Sequence, residues 1–114
     1  MTARSSPPGL PSVPFDLVAV ASGGCEVILA WTERRAGGLG FRIERATCNS
    51  PCKSFTEIGK VGRYVTAFGD RSVDPRTTYH YRVRAWSASG DSLPSNVVEV
   101  TTLQAEMEPP VDTE

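Results

Sequence analysis

The sequence is poor in the residue types from which metal centres and catalytic groups are built. It has one histidine and three cysteines. A single histidine excludes a His-based metal centre, and no nucleophile and orienting acid in the sequence form a recognisable catalytic group with His80. Asp70 and Asp74 could pair as carboxylates, but a turn explains acidic residues there more simply. We expect no metal, no cofactor and no enzymatic activity.

The odd number of cysteines excludes a fully paired disulfide framework. Cys25 opens a predicted strand, and the cysteines with His80 are a thin set for a structural zinc, which takes four ligands. Cys48 and Cys52 are separated by Asn-Ser-Pro and could close a small loop bridge. The sequence leaves two states open for this pair, a local disulfide or two unpaired thiols.

Long apolar runs are also lacking. No segment approaches the ~20 apolar residues that a membrane-spanning helix requires. Residues 1–14 contain four prolines and lack the hydrophobic segment of a secretory signal. We expect no membrane insertion, and no signal peptide in this segment.

The sequence also lacks a large excess of positive or negative charge. The net charge is −1 at pH 7, and four of the thirteen acidic residues lie after the last predicted strand. The part between the two ends is only slightly positive, far from the clustered Lys and Arg of a nucleic-acid surface. We therefore expect no nucleic-acid partner.

The overall composition is that of one ordinary globular domain. The chain has 114 residues, of which 39% are hydrophobic and 22% charged. Residues 1–13 are rich in Pro, Ser and Gly, and residues 103–114 are acidic and contain Pro109-Pro110. Both ends are predicted to be linkers or tails, and residues 14–102 to be the folded domain.

Inside these limits apolar residues recur at every second position, which indicates strands with one buried face. In the run 25–31 that face carries Val27, Leu29 and Trp31, and the longest run is 77–86. The other predicted strands are 15–21, 41–45, 55–61, 64–68 and 96–102. Seven short strands and no helical period predict an all-β sandwich of two sheets.

The order of these motifs resembles the fibronectin type III family. Pro14 precedes the first strand and Trp31 ends the second. The most specific part runs from Val73 to Gly90 and reads Val-Asp-Pro-Arg-Thr-Thr-Tyr-His-Tyr-Arg-Val-Arg-Ala-Trp-Ser-Ala-Ser-Gly. The resemblance implies a seven-stranded antiparallel immunoglobulin-like β-sandwich with fibronectin type III topology.

The resemblance also implies roles for individual residues. Tyr79 would be a tyrosine corner, whose hydroxyl bonds to backbone a few residues upstream, and Val73 and Pro75 would anchor the connection between the sheets. An antibody-type domain would need a cysteine two residues after that tyrosine, where this sequence has Tyr81. The implied core residues are Trp31, Phe41, Ile43, Val73, Tyr79, Tyr81 and Val83.

We expect an interaction face on the outer side of the larger sheet, because an exposed tryptophan beside arginines is typical of interaction hot spots. By alternation the third strand contributes two residues to this face and the long strand contributes four. They are Arg42, Glu44, His80, Arg82, Arg84 and Trp86. The alternative is a solvated surface on which arginine side chains cover Trp86 and pair with Glu44.

A loop after the long strand is the second candidate site. Its residues are Ser89, Gly90, Asp91 and Ser92. The loop is similar to the Arg-Gly-Asp loop of adhesive family members, but Ser89 replaces the arginine, so half of the recognised charge pair is missing. A cytokine-receptor Trp-Ser-x-Trp-Ser motif likewise begins at Trp86 and fails at Ser89.

The resemblance implies a non-catalytic module that serves as a protein-interaction and spacer domain of a larger, multidomain protein. We expect that protein to be extracellular or at the cell surface, with this domain monomeric by itself and bound to a protein partner. Two alternatives stay open. One is a carbohydrate-associated accessory module of a secreted enzyme, with Trp86 as its sole visible platform. The other is an intracellular scaffold domain of a cytoskeletal or muscle-type protein, which unpaired cysteines favour.

Overall fold

The structure is a computed structural model that describes residues 9–34, 38–47 and 54–104. This part of the chain contains eight β-strands. They are β1 (Phe15–Ala21), β2 (Val27–Thr32), β3 (Gly40–Thr47), β4 (Thr56–Gly62), β5 (Ala67–Asp70), β6 (Thr78–Ser87), β7 (Gly90–Asp91) and β8 (Val98–Thr101). The predicted all-β class is confirmed, and the strand beyond the seven predicted is the two-residue β7. None of the described residues belongs to a helix that could cross a membrane.

The strands form two antiparallel sheets. One has three strands in the order β1-β2-β5. In the larger sheet β3 lies between β4 and β6, while β7 and β8 both pair with the other edge of β6. The chain crosses between the sheets after β2, after β4 and after β5. This topology is the predicted immunoglobulin-like sandwich.

Strict alternation along β2 and β6 builds the core between the sheets. Every second residue of β2, beginning with Val27, is buried, and so is every second residue of β6 from Tyr79 to Ala85. The ring of Trp31 packs edge-on against Phe41, with centroids 5.4 Å apart. The seven residues that the sequence implied for the core are all buried.

The connection from β5 to β6 is tied to the corner tyrosine. The backbone N–H of Asp74, five residues upstream of Tyr79, donates to the Tyr79 hydroxyl at 2.8 Å. Val73 is buried beside the core. Pro75, predicted as a second anchor, is instead exposed, and its carbonyl accepts the hydroxyl of Thr77 at 2.9 Å. Val73 and Tyr79 therefore hold this connection without a buried proline.

Strand β5 begins later than predicted. The sequence places a strand over 64–68, but Tyr64 lies in a turn and is 74% exposed. The N–H of Val65 donates to the carbonyl of Gly62 at 3.1 Å and so closes this turn. The strand then continues through Gly69 to Asp70, both predicted to end it, because these residues pair with β2. The strand-favouring Tyr64 is thus used in a turn, and Val65 and Thr66 lead from the turn into the strand.

Two buried serines continue the pairing of β6 between β7 and β8. The N–H of Ala85 donates to the hydroxyl of Ser92, and the N–H of Val83 donates to the hydroxyl of Ser95, both at 3.0 Å. The backbone N–H groups of the two serines donate in return to the carbonyls of Ala85 and Val83. Between β7 and β8, where no strand pairs with this edge of β6, serine side-chain oxygens therefore replace the backbone carbonyls of a partner strand.

Packing extends past both predicted limits of the domain. Pro11 and Val13, which lie in the predicted linker, are buried. At the other end the N–H of Leu103 donates to the carbonyl of Gly23, and its own carbonyl accepts from the N–H of Arg76. The ordered domain therefore includes residues on either side of 14–102.

Candidate interaction faces

The predicted face on the larger sheet is assembled by the pairing of β3 with β6. The register sets Arg42 opposite Arg84, Glu44 opposite Arg82 and Gly40 opposite Trp86. The six predicted residues project from the outer side of these two strands and are all half-buried. The structure thus brings together the side chains that the sequence assigned to this face.

Glu44 is the centre of one charge cluster. Its carboxylate accepts from Nε of Arg82 at 2.6 Å and from Nε of Arg84 at 3.2 Å. Arg84 also donates to the carbonyl of Ser92 at 3.0 Å, and the guanidinium of Arg82 lies 4.1 Å from the ring centre of Phe55. One carboxylate therefore fixes two arginines, and each arginine has a further contact that orients it.

Arg42 is held between two carboxylates. Its Nε donates to Asp91 at 2.9 Å and its Nη1 donates to Glu57 at 2.8 Å. These two hydrogen bonds, chiefly the one to Asp91, raise the pKa of the Arg42 guanidinium above its usual value. At the far end of the same face, Nε2 of His80 lies 3.7 Å from the carboxylate of Glu99. The ion pairs of Arg42 and Glu44 extend across the face from β4 to β7.

Trp86 is less open than the sequence suggested. The guanidinium of Arg42 lies 5.5 Å from its ring centre and the ammonium of Lys60 lies 4.9 Å from it. The indole Nε1 is buried and has no hydrogen-bond acceptor among the described residues. The covering of Trp86 by cationic side chains corresponds to the alternative that the sequence left open, and Lys60 is a cover that sequence reasoning missed.

The candidate loop is built into the fold rather than left free. Gly90 has φ of 133°, a conformation that favours glycine, and pairs with Ser87. Asp91 is held by Arg42, and Ser92 is buried beneath β6. Of the four predicted residues only Ser89 is exposed. The carboxylate that an adhesive loop would present is therefore already part of an ion pair.

A polar cluster that sequence reasoning missed links the two sheets. Asp70 is 3% exposed, and its Oδ2 accepts from the hydroxyl of Tyr81 at 2.7 Å and from Nη1 of Arg45 at 2.8 Å. Its Oδ1 accepts from the backbone N–H and the hydroxyl of Ser72 at 3.0 and 2.7 Å. The carboxylate is fully satisfied by donors, which is the requirement for a buried charge.

The electrostatics of this cluster follow from burial and hydrogen bonding. Burial by itself would raise the pKa of Asp70, but the hydrogen bonds from Tyr81, Ser72 and Arg45 outweigh it and hold that pKa below the usual value. Burial, and then the bond to Asp70, raise the pKa of the Tyr81 hydroxyl far above its usual value. The cluster is a fixed carboxylate with neutral and cationic donors, and it serves structure.

The outer side of the three-stranded sheet is a second face that sequence reasoning missed. Its residues, here called the apolar face, are Val18, Val20, Ile28, Ala30, Ala67 and Gly69, and all six are exposed. Val18 is 55% exposed, Val20 61% and Ile28 45%. The register joins them in two rows, Val18-Ala30-Ala67 and Val20-Ile28-Gly69. The signal was available, because these residues alternate with the buried positions of β1 and β2.

The described residues offer little chemistry for catalysis or metal binding. No group of three His, Cys, Asp or Glu side chains within them could hold a metal ion. An open pocket of about 370 Å³ at one end of the sandwich is lined mainly by Val13, Phe15, Arg34 and Asn96. Cys25 is exposed and unpaired. Cys48 and Cys52, the predicted bridge, lie outside the described residues.

Comparison with solved structures identifies the fold. The chain superposes on chicken CNTN1 FN1-FN3 domains with a TM-score of 0.73 and 19% identity, covering 90% of this chain and 34% of that one. The match to the fibronectin type-III domain of human fibronectin type III domain containing protein 3 has a TM-score of 0.71 and 24% identity, covering 95% and 100%. Titin domains A168-A170 match with a TM-score of 0.70 and 22% identity over 83% of this chain and 33% of theirs.

These likenesses show that the chain has the fibronectin type III fold. No family model matches the sequence. No curated protein sequence matches it either. The chain spans about a third of the chicken and titin chains, which contain several domains, and the whole of the human one.

Proposed function

We propose that this fibronectin type III-fold domain is a non-catalytic protein-interaction and spacer module of a larger protein, and that it meets its partner through the outer face of the larger sheet. The observation that supports the proposal is the set of half-buried arginines around Trp86, held in place by ion pairs across four strands. Side chains that are already ordered lose little conformational entropy on binding.

The chemistry of the face suits a protein surface that carries both acidic and apolar groups. Arg42 and Arg84 lie side by side in the register, and Lys60 lies on the other side of Arg42. The carboxylates of Glu44, Glu57 and Asp91 balance these cations, so the face is not a simple anion-binding surface. A partner would add acceptors to guanidinium donors that bond to none of the described residues.

The test is partner capture with variants of the face. Lys60→Glu changes an exposed side chain whose contact is with the ring of Trp86, so that the fold should be unaffected. Arg76→Glu is the matched control, because Arg76 is exposed and its bonds among the described residues, to Gln104 and to the carbonyl of Leu103, lie outside the face. We expect a protein retained by the wild type and the control to be retained about tenfold less by Lys60→Glu. Equal retention by all three would contradict the proposal.

The carbohydrate alternative can be separated from this proposal by fluorescence. Stacking of a sugar needs an open tryptophan face, whereas Arg42 and Lys60 lie close to the ring of Trp86. We expect no change in tryptophan emission when soluble polysaccharides are added at about millimolar sugar. A saturable change that Trp86→Leu abolishes would favour the carbohydrate module instead.

The scaffold alternative differs in the redox state of Cys48 and Cys52. An oxidising compartment would leave one free thiol, that of Cys25, and a reducing one would leave three. Alkylating the thiols at lysis under denaturing conditions, purifying the protein and counting the added groups by mass spectrometry gives the number of free thiols in the native compartment. One thiol would favour an extracellular module, and three would favour an intracellular scaffold.

A further inference from the structure

The edge of β5 that faces away from β2 pairs with no other strand in the part of the chain that the structure describes. The N–H of Trp31 donates to the carbonyl of Thr66 at 3.0 Å, which sets the phase of the ladder between β2 and β5. In an antiparallel pair every second residue exchanges backbone hydrogen bonds with its partner, so Phe68 also bonds to β2. The backbone N–H and C=O groups of Ala67 and Gly69 therefore point outward from the sheet edge.

The other edges of the two sheets are protected against a further strand. On β1 the side-chain amide of Asn96 accepts from the N–H of Leu17 and donates to its carbonyl, at 2.9 and 3.0 Å. The edge of β4 has a bulge at Ile58 and carries the charged side chains of Glu57 and Lys60, and the third edge is split between β7 and β8. Bulges and charges keep an edge from pairing with another chain. Strand β5 has no bulge, and its one charged residue is buried.

The outer surface beside this edge has an apolar part and an acidic part. At Ala67 only a methyl group rises above the sheet, and its neighbour Ala30 on β2 is equally low. At Gly69 the carboxylate of Glu26 lies over the strand, with Oε2 2.9 Å from the position that a Cβ would take. Nε of Arg71 donates to this oxygen at 3.2 Å, but the side chain of Arg71 is 81% exposed. The edge thus presents a low apolar surface and, two residues further along, a carboxylate.

We propose that the edge of β5 is a docking site for an extended peptide of a partner protein, which adds an antiparallel strand to the three-stranded sheet. The peptide carries a cationic residue opposite Gly69 and an apolar residue opposite Ala67. Both peptide residues exchange backbone hydrogen bonds with β5, the mode of binding known as strand addition. Because an antiparallel strand runs in the opposite direction, the recognised motif is a lysine or arginine, any residue, and then an apolar residue.

The side chains of this motif follow from what each position meets. Residues directly opposite each other on paired strands project from the same face, so both motif side chains lie on the outer side of the sheet. A cation opposite Gly69 comes within reach of the Glu26 carboxylate, which is 25% exposed and can accept from a second donor beside Arg71. A leucine opposite Ala67 lies on the methyl group and leans toward Ala30, which removes apolar surface from water.

A synthetic peptide tests the site in NMR titrations of the full chain. The probe is acetyl-Ser-Thr-Lys-Thr-Leu-Thr-Ser-amide. Because β5 has only four residues, we expect weak binding, with a dissociation constant on the order of 0.1–1 mM. The backbone amide signals of Ala67 and Gly69 should shift and saturate. The control peptide has N-methyl-leucine, which keeps the side chain but cannot donate to the carbonyl of Ala67, and it should bind about tenfold more weakly or not at all.

Variants of the protein separate the backbone contribution from the charge. Ala67→Pro removes an N–H that points away from β2, at the first residue of an edge strand, where proline is tolerated, and should abolish binding. Glu26→Gln should raise the dissociation constant of the lysine peptide about two- to fivefold. Glu99→Gln is its matched control, because Glu99 lies on the larger sheet with its side chain 65% exposed, and it should bind like the wild type. Circular dichroism and the thermal midpoint check that each variant is folded.

Three results would count against the site. Unchanged amide signals of Ala67 and Gly69 at about 5 mM lysine peptide would overturn the proposal. Equal affinity for the N-methylated peptide would also overturn it, since binding would then not use backbone pairing. Equal affinity of Glu26→Gln and the wild type for the lysine peptide would overturn the assignment of the cationic position.

Discussion

The hydroxyl of Tyr81 donates a 2.7 Å hydrogen bond to Oδ2 of Asp70, and this bond joins the two sheets inside the sandwich. Asp70 ends β5 in the three-stranded sheet, and Tyr81 lies in β6 of the larger one. Arg45 of β3 donates to the same oxygen at 2.8 Å. Removing the Tyr81 hydroxyl or Arg45 therefore takes one of two donors from a buried carboxylate oxygen, and removing Asp70 leaves the Tyr81 hydroxyl without its acceptor, which is costly between the sheets.

Substitutions in this pair should destabilise the fold by different amounts. Tyr81→Phe keeps the ring and removes the donor, so we expect a loss of about 1–3 kcal/mol in the free energy of unfolding. Asp70→Ala also removes the carboxylate that pairs with the Arg45 guanidinium and should cost about 3–5 kcal/mol. Urea denaturation measures both losses, and the double variant should lose less than their sum. Tyr64→Phe, at an exposed tyrosine, is the control and should change stability by less than about 0.5 kcal/mol.

The lowered pKa of Asp70 gives the fold a defined sensitivity to acid. Hydrogen bonds hold this pKa below the unfolded value of about 3.9, so the unfolded chain binds the proton more readily. The stabilisation by the carboxylate is complete above the unfolded pKa and is lost as pH falls through the folded one. The difference in unfolding free energy between wild type and Asp70→Asn should be constant above about pH 5 and shrink between about pH 4 and pH 2. A difference that stays constant to pH 2 would contradict the assignment.

The two serines that extend the pairing of β6 make a third prediction. Ser92→Ala and Ser95→Ala each remove the hydroxyl that accepts from a buried backbone N–H, that of Ala85 or Val83. Each should cost about 1–3 kcal/mol. Hydrogen exchange should show the matching amide accelerated more than the other amides of β6 in each variant. Ser89→Ala is the control, since Ser89 is exposed, and it should leave both amides unchanged.

Much of the fold follows from patterns that lie within single strands. The alternation of Tyr79, Tyr81 and Val83 with polar residues predicts the face that β6 buries, because one buried face imposes a period of two. The corner bond of Tyr79 was likewise predicted from the motif around it. These features depend on residues near each other in the chain, and the sequence displays such relationships directly.

Relationships between distant segments were harder to predict. Asp70 was assigned to a turn, since nothing local shows that Arg45 and Tyr81 converge on its carboxylate, residues that lie 25 and 11 positions away. Trp86 was expected to be exposed. Lys60, which covers it, lies in β4, and β4 does not pair with β6, the strand that carries Trp86. Such contacts depend on which strands become neighbours, and alternation alone does not specify that.

Two glycines opposite each other in β3 and β4 supply the final prediction. Gly40 pairs with Gly62, but a methyl group on Gly40 would run into the carbonyl of Val61 and come within 3.0 Å of Nε1 of Trp86. Nothing lies within 4 Å of the same position on Gly62. Because a backbone carbonyl cannot move without disturbing the sheet, Gly40→Ala should cost about 1–3 kcal/mol, as overpacking does, whereas Gly62→Ala should stay within about 0.5 kcal/mol. Thermal or urea unfolding compares the two variants. Equal stabilities would contradict the close approach of Gly40 to Val61 and Trp86.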